Sequence, residues 1–170
     1  CQVHEQSLDA TRHPSWSKLL AVRDAMTQKP GAWLMWIDAD AVVVNHRIRA
    51  ETLVPKGFDV VFGSDFNGLN AGIFLIRSSE WSRRFLDTVF FLGDLIHDPD
   101  GFGPKWEQNT FKYVLKNFAG FADRAVLLPQ NRMSSSLDNF TPGDFILHFG
   151  AMTNGERLRH LQSLHRWTVK

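Results

Sequence analysis

The chain has 170 residues, 44% of them hydrophobic, and its 19 basic and 18 acidic residues give a net charge of +1. A chain of this length can bury one sizeable core, so we expect a single domain over residues 1–170. The balanced charge argues against nucleic-acid binding, which normally needs a basic surface. Cys1 is the only cysteine, which excludes a disulfide framework and cysteine-based zinc sites.

The sequence shows no membrane segment. No apolar run approaches the roughly 20 residues that a membrane-spanning helix needs, and the first residues are too polar for a signal peptide. The sequence opens with Cys rather than Met, which suggests a fragment or a processed form. We therefore expect any membrane attachment to come only from an anchor outside this sequence.

The predicted elements alternate between helix and strand. A helix over residues 15–28 is expected to begin with Ser15 as its N-cap, and Pro30 and Gly31 end it. Residues 32–37 form a continuous apolar run, typical of a strand buried on both faces of an α/β sheet. Further strands are predicted at residues 42–44, 58–62, 71–76, 126–128 and 145–149.

Three more helices complete the pattern. One is capped by Ser78 and Ser79 and runs to about Phe91, one is opened by Glu107, and one spans residues 156–166. Residues 93–104 form a Gly/Pro/Asp-rich loop that is long enough to suspect a function. The alternation predicts a three-layer α/β/α domain.

The segment WLMWIDADAVVVN, residues 33–45, places Asp38 and Asp40 at the end of the apolar run. Two aspartates at i and i+2 on a strand point to the same face, and at its C-terminal end they enter the crevice where α/β folds bind ligands. Two carboxylates this close repel each other unless a cation lies near them. The pattern predicts a Mg²⁺ or Mn²⁺ site, and a plain turn is the alternative.

One class of enzyme with this arrangement is the haloacid-dehalogenase-type phosphatase. Its motif Asp-x-Asp-x-Thr/Val matches Asp38, Asp40 and Val42, and Ser64 fits its second motif. The first Asp would be the nucleophile and the second the acid/base. That mechanism also needs a late acidic pair, whereas Asp144 stands alone in the segment GDFILHF.

The other class is the nucleotide-sugar glycosyltransferase with an Asp-x-Asp motif. The second Asp binds a divalent metal that bridges the donor's diphosphate and neutralises charge on the leaving nucleotide. A late His commonly completes the metal site, and His148 fits this position. A lone His in a strand is as often structural, which is the alternative for His148.

With these segments in view, the chain resembles glycosyltransferase family 34, which includes xyloglucan α-xylosyltransferases, fungal α-galactosyltransferases and Golgi α-mannosyltransferases of mannan synthesis. The matching segments cover most of residues 15–152, in the same order and spacing: WSKLLAVRDAM, WLMWIDADAVVVN, DFNGLNAGIFLIRSSEWSRRFLD, WEQNTFKYVL and GDFILHFGAM. The resemblance implies a GT-A fold, a reaction that depends on Mn²⁺ (or Mg²⁺), and retention of the anomeric configuration.

The resemblance also implies roles for single residues. Asp38 would contact the sugar nucleotide, and the metal site would consist of Asp38, Asp40 and His148. Lys18 would reach the diphosphate, with a solvated helix face as the alternative.

The donor sugar would bind to a loop in the segment NGLNAG and to the residues after Trp106. The loop residues are Asn67, Gly68, Asn70, Ala71 and Gly72, where two glycines let the backbone approach a ligand closely. A simple turn is the alternative. Glu107 would stabilise oxocarbenium charge or act as nucleophile, and Gln108 would hold a sugar hydroxyl. The alternative for Glu107 is a first-turn acid that the helix dipole favours.

The chain departs from the family pattern in two places. About fourteen residues precede the WSKLL helix, too few for the β-α-β half that usually holds the nucleotide base. Plant members also carry a Lys shortly after the late His, and the segment GAMTNGE has none, so phosphate neutralisation would fall to Arg132 or Arg157.

The sequence thus favours a metal-dependent retaining glycosyltransferase that moves a hexose or pentose from a UDP- or GDP-linked donor to a glycan hydroxyl. The expected partners are the nucleotide sugar and the glycan acceptor, and the expected compartment in a eukaryote is the Golgi lumen. The phosphatase and a catalytically inactive sugar- or nucleotide-binding domain are the alternatives.

Overall fold

The computed structural model describes residues 11–95, 106–150 and 152–163. Its strands are β1 (Trp33–Ile37), β2 (Ala41–Val43), β3 (Val60–Asp65), β4 (Gly68–Arg77), β5 (Ala125–Leu127), β6 (Ser134–Ser135) and β7 (Ile146–His148). Its α-helices are α1 (Ser17–Gln28), α2 (Glu80–Leu92), α3 (Glu107–Asn117), α4 (Ala119–Ala122) and α5 (Asn154–Gln162). Short 3-10 helices span Pro14–Trp16, Ala50–Leu53 and Leu137–Asn139.

The strands form two sheets. The main sheet has the order β1-β4-β3-β5, in which β4 is antiparallel to both of its neighbours and β5 is parallel to β3. The small sheet has the order β2-β7-β6, with β2 antiparallel and β6 parallel to β7. Since β1 and β2 belong to different sheets, the chain crosses from one sheet to the other at Asp38–Asp40.

The main sheet separates two parts of the core. On one face, α1, α2 and α3 pack against alternate strand residues, with the buried side chains Leu19, Met26, Val60, Phe62, Phe74, Phe85 and Phe111. The opposite face packs against the small sheet through Val61, Ile73, Leu75 and Ile146. Leu147 points to the other side of the small sheet, where Phe149 and Leu161 of α5 cover it. The predicted α/β fold class is confirmed.

The predicted helices and strands are found within a few residues of their expected bounds. Ser79 caps α2 by accepting a hydrogen bond from Ser82 N, as expected. The N-cap assignment of Ser15 is wrong, because Ser15 N instead donates to the His13 side chain in the preceding 3-10 turn. Residues 96–104 of the predicted loop and residues 164–166 of the terminal helix lie outside the described residues.

Strand β1 is less buried than the sequence suggested. All five of its residues are half-buried rather than enclosed on both faces. The reason is topological: among the described residues, β1 is an edge strand of the main sheet and pairs only with β4. An apolar run indicates that a strand is shielded from solvent, but it does not distinguish a central strand from an edge strand.

Strand β4 contains a large bulge. Its pairing with β3 jumps from Phe62 opposite Phe74 to Gly63 opposite Asn70, so residues 71–73 have no partner on β3. The segment expected to be a donor-sugar loop is therefore mostly strand, with Gly68–Gly72 inside β4 and Asn67 in the turn before it. Bulges re-aim backbone groups and are frequent beside active sites.

Gly93, at the end of α2, lies against the indole ring of Trp16. A Cβ at this position would overlap the ring, which is itself buried. We expect Gly93→Ala to lower the free energy of unfolding by about 1–3 kcal/mol, the usual cost of overpacking. Gly120→Ala in α4 is the matched control, since a Cβ there meets nothing within 4 Å. Urea unfolding measures both, and equal stability of the two variants would contradict this packing.

None of the helices within residues 11–95, 106–150 and 152–163 is long and apolar enough to cross a membrane.

Candidate active site

The turn after β1 brings together two carboxylates and one imidazole. Asp38 N donates to Gly72 O at 2.8 Å, which ties the turn to the β4 bulge. Ala41 pairs with His148 across the small sheet, which brings His148 to the same turn. One possible ligand atom from each of Asp38, Asp40 and His148 lies within 4.8 Å of the other two. The sequence left a metal site and a plain turn as alternatives for Asp38 and Asp40. In the structure the three possible ligand residues, here called the ligand cluster, meet at a turn, so the two interpretations do not exclude each other.

Asp40 is held on both carboxylate oxygens. His148 Nε2 lies 3.3 Å from Asp40 Oδ1, and Arg157 Nη2 of α5 lies 3.0 Å from Asp40 Oδ2. The hydrogen bond with His148 lowers the pKa of Asp40 below its ordinary value; burial opposes this shift and the Arg157 charge adds to it. Asp40 is therefore an anion at neutral pH, although its side chain is only 19% exposed.

Lys18 is the buried hub of the site. Its Nζ lies 2.8 Å from Glu107 Oε1 and 3.0 Å from Asp38 Oδ1, and it donates to Ala71 O at 3.0 Å. Burial alone would lower the pKa of Lys18, but the carboxylates of Glu107 and Asp38 outweigh burial and raise it. With its side chain only 4% exposed, Lys18 does not lie on a solvated helix face, which was the alternative for it.

Asp38 is oriented from two sides. Besides the ion pair with Lys18, Trp36 Nε1 donates to Asp38 Oδ1 at 2.5 Å. The Asp38 side chain is 31% exposed, so part of its carboxylate remains open to a ligand. Trp36 is a residue that sequence reasoning missed, because it was counted only as part of an apolar strand.

Glu107 and Gln108 begin α3 and reach the β4 bulge by different routes. Glu107 is 4% exposed; Oε1 contacts Lys18, and Oε2 is buried with no hydrogen-bond partner among the described residues. Gln108 Oε1 accepts from Ala71 N at 2.9 Å. A buried carboxylate needs a paired charge, and Lys18 supplies that charge here.

The Asn67–Gly72 residues divide between two environments. Asn70 Oδ1 accepts from Gly72 N at 2.8 Å, and its Nδ2 donates to Asp65 Oδ2 at 2.7 Å. Asn67 lies further out, where its carbonyl accepts from Lys112. Gly68 has φ +90°, a conformation that favours glycine, and it shapes the turn rather than the ligand cluster. The structure thus places Asn70, Ala71 and Gly72 at the site, Asn67 in the lining of the cavity beside it, and Gly68 at its margin.

A cavity of about 200 Å³ opens beside the cluster. Its polar lining includes Asp65, Asn70, Gln108, Ser136, Asn139 and His148. Phe66 and Trp106, which are 80% and 45% exposed, also line it. Hydroxyl and amide groups beside exposed aromatic faces suit a sugar ring. The serines and Asn139 were not found from the sequence, because no motif distinguishes them from ordinary loop residues.

The donor set fits a hard divalent cation. Two carboxylates and one imidazole suit Mn²⁺ or Mg²⁺. Gly72 leaves the space that the cluster needs. A Cβ there would lie 2.7 Å from His148 Cε1 and 3.1 Å from Asp38 Oδ2.

Comparison with known families decides the assignment. The model of the galactosyl transferase GMA12/MNN10 family, which is glycosyltransferase family 34, matches residues 2–57 and 52–157. The chain belongs to this family. The expected resemblance is thereby confirmed, and all three residues of the ligand cluster lie within the matched ranges.

The relatives of this chain match it over only part of their own length. Galactomannan galactosyltransferase 1 of Cyamopsis tetragonoloba is 31% identical over 129 residues, which is 66% of this chain and 29% of that protein. Glycosyltransferase 6 of Arabidopsis thaliana is 35% identical over 99 residues, which is 52% of this chain and 23% of that protein. The chain therefore spans about a quarter of the length of these relatives.

A solved structure supports the fold. A glycosyltransferase involved in the glycosylation of the major capsid of PBCV-1 superposes with a TM-score of 0.73, covering 94% of this chain and 81% of that one. The two sequences are 14% identical, so the likeness concerns the fold alone. The GT-A-type fold implied by the family resemblance is confirmed for this chain.

Proposed function

We propose that the chain is the catalytic portion of a metal-dependent retaining glycosyltransferase. It would move a hexose or pentose from a UDP- or GDP-linked donor to a glycan hydroxyl. The observation that carries the proposal is the convergence of Asp38, Asp40 and His148 within 4.8 Å. It occurs in a chain of the GMA12/MNN10 family whose relatives are named glycosyltransferases.

Asp38, Asp40 and His148 would hold Mn²⁺ or Mg²⁺, which supplies Lewis-acid neutralisation of charge on the leaving nucleotide diphosphate. Asp38 also keeps part of its carboxylate exposed, which suits a hydrogen bond to the sugar nucleotide. Lys18 donates to three oxygens of the protein, which uses all the hydrogens of an ammonium group. We therefore propose that Lys18 positions Asp38 and does not reach the diphosphate.

The cavity beside the cluster is the proposed sugar site. Asn70 and Gln108 fix the β4 bulge through the amides of Gly72 and Ala71, and both side chains also line the cavity. Gln108 Nε2 and the second hydrogen of Asn70 Nδ2 would bond to sugar hydroxyls. Trp106 would offer an apolar face to a sugar ring, since it is 45% exposed at the cavity.

Glu107 supplies negative charge next to Gln108, which lines this cavity. A retaining reaction requires the acceptor to enter on the face that the nucleotide leaves, either after attack by a carboxylate or through an oxocarbenium ion. Glu107 is buried, with one oxygen on Lys18 and the other without a partner in the part of the chain that the structure describes. We propose that its charge stabilises positive charge that develops on the donor sugar.

The phosphatase alternative is not favoured. Its nucleophile would be Asp38, which is held by Lys18 and Trp36. Its second-motif residue, Ser64, donates to Leu128 O, and its late acid, Asp144, accepts from Ser135 Oγ and Thr141 N. The family match also lies with glycosyltransferases.

We propose that in a eukaryotic cell the protein works in the Golgi lumen. The support is its membership of the GMA12/MNN10 family.

His148→Ala should weaken Mn²⁺ binding about 10–100-fold, because the imidazole either ligates the metal or orients Asp40. The matched control is His46→Ala, which removes an exposed imidazole outside the cluster. Calorimetric titration with MnCl₂ compares the two variants with the wild type. A His148→Ala protein that only melts earlier, with wild-type Mn²⁺ affinity, would show that His148 is structural.

The proposal as a whole is tested by titrating UDP and, separately, GDP in the presence of Mn²⁺ and of EDTA. We expect one of the two nucleotides to bind only with the metal. Metal-independent binding, or no binding of either nucleotide, would contradict the proposed donor site. Nucleotide binding without any turnover of nucleotide sugars would identify an inactive binding domain.

A further inference from the structure

Arg157 is the cation closest to the ligand cluster that the metal proposal does not use. Its Nη2 lies 3.0 Å from Asp40 Oδ2, and Nε donates to Phe149 O at 3.2 Å. Nη1 donates to Asn154 Oδ1 at 3.4 Å within α5. The guanidinium is therefore fixed by three groups, and it remains 30% exposed.

Arg157 and a divalent cation would compete for Asp40. Both carry positive charge, and both would use the same carboxylate, which also contacts His148. Two positive charges a few ångströms apart repel each other, even with strong solvent screening. A metal that binds to Asp40 is thus expected to weaken the contact between Asp40 and Arg157.

The remaining contacts determine where the guanidinium can go. Its bond to Phe149 O does not involve Asp40, so Arg157 stays beside the site when Asp40 is withdrawn. A guanidinium with free N–H groups binds phosphate oxygens with charge-assisted and often bidentate hydrogen bonds. The donor's diphosphate, which the metal site would hold, is the anion that would come within its reach.

We propose that Arg157 is the counter-cation of the metal-free site: it holds Asp40 until that carboxylate ligates a divalent metal, and it then contacts the donor's diphosphate. The inference rests on the proposed function, since it requires the metal site and a nucleotide sugar. It adds a positioning residue on α5 that couples metal binding to donor binding.

The test uses Arg157→Gln, with Arg159→Gln as the matched control. Arg159 is in the same helix and is exposed, so its variant has the same net charge without changing the contact to Asp40. Calorimetry with MnCl₂ alone should show about tenfold tighter binding to Arg157→Gln than to the wild type, because a competing charge is gone. Arg159→Gln should bind Mn²⁺ as the wild type does.

In a second titration, of nucleotide rather than Mn²⁺, we expect Arg157→Gln to weaken binding instead of tightening it. At saturating Mn²⁺, UDP and, separately, GDP are titrated into the same proteins, and the nucleotide that binds should bind about tenfold more weakly to Arg157→Gln. Arg157→Lys keeps the positive charge and should keep wild-type Mn²⁺ affinity. This variant shows whether the effect of Arg157→Gln comes from the lost charge or from looser packing of α5.

The possible results separate a failure of the Arg157 proposal from a failure of the proposed metal site. Equal Mn²⁺ affinity in the wild type and Arg157→Gln would overturn the counter-cation role while the metal site stands. Tighter Mn²⁺ binding with unchanged UDP and GDP affinity would overturn the diphosphate contact. Mn²⁺ binding to none of the proteins would overturn the metal site of the proposed function, and the inference with it.

Discussion

Glu107→Gln should reduce turnover at least about 100-fold while Mn²⁺-dependent nucleotide affinity changes little. The glutamine keeps the size of the side chain and an oxygen for Lys18, but it removes the negative charge. That charge is expected to act mainly in the transition state, when the donor sugar becomes positive, and effects of this electrostatic kind are of the order of 10²–10³ in rate. Steady-state kinetics and nucleotide titration on the same protein measure the two quantities.

The role of Glu107 is identified by whether Glu107→Gln lowers turnover alone or lowers nucleotide affinity as well. If Glu107 served only to hold Lys18 and thereby Asp38, its replacement would lower nucleotide affinity as much as turnover. Glu80→Gln is the matched control, since Glu80 is an exposed first-turn carboxylate of α2. It should leave turnover unchanged. Unchanged turnover in Glu107→Gln would show that Glu107 is only a favourable first-turn residue of α3.

Asp40→Asn should abolish metal-dependent nucleotide binding. A neutral amide loses the charge that holds a hard cation, so the loss of affinity should exceed the 10–100-fold typical of partners that only orient a metal ligand. The fold should survive, because the Asp40 carbonyl still accepts from Phe149 N at 2.8 Å. Titrations with MnCl₂, and with UDP and GDP at fixed Mn²⁺, measure the change.

Asp24→Asn provides the matched change for this experiment, because Asp24 is an exposed aspartate on α1 outside the cluster. It should bind metal and nucleotide as the wild type does. If Asp40→Asn retained wild-type Mn²⁺-dependent affinity and unfolded cooperatively, Asp40 could not be a metal ligand.

The local signals in the sequence predicted most of the elements and the residues of the ligand cluster. The Ser79 cap and the apolar spacing after Glu107 are properties of single helices, so they are legible in the sequence. Asp38 and Asp40 were found because two carboxylates after an apolar run are unusual. His148 was found only through the family pattern, since a late His in a strand has no local signal for metal binding.

The remaining features depend on how elements pair in three dimensions. The segment NGLNAG was read as a loop because it is rich in Gly and Asn, but residues 68–70 pair with β3 and Gly72 O accepts from Asp38 N, which overrides that local preference. The burial of Lys18 requires oxygens from three different elements, which no single segment displays. Likewise, the contact of Arg157 with Asp40 depends on how α5 docks against the small sheet.

The most direct test of the central claim is a panel of nucleotide sugars screened for release of the nucleotide in the presence of Mn²⁺. Wild-type protein should release UDP or GDP from one donor, EDTA should stop the reaction, and Asp40→Asn should show none. A metal-independent release that Asp40→Asn retains would contradict a glycosyltransferase site built on Asp38, Asp40 and His148. So would release of inorganic phosphate from simple phosphomonoesters without turnover of any nucleotide sugar.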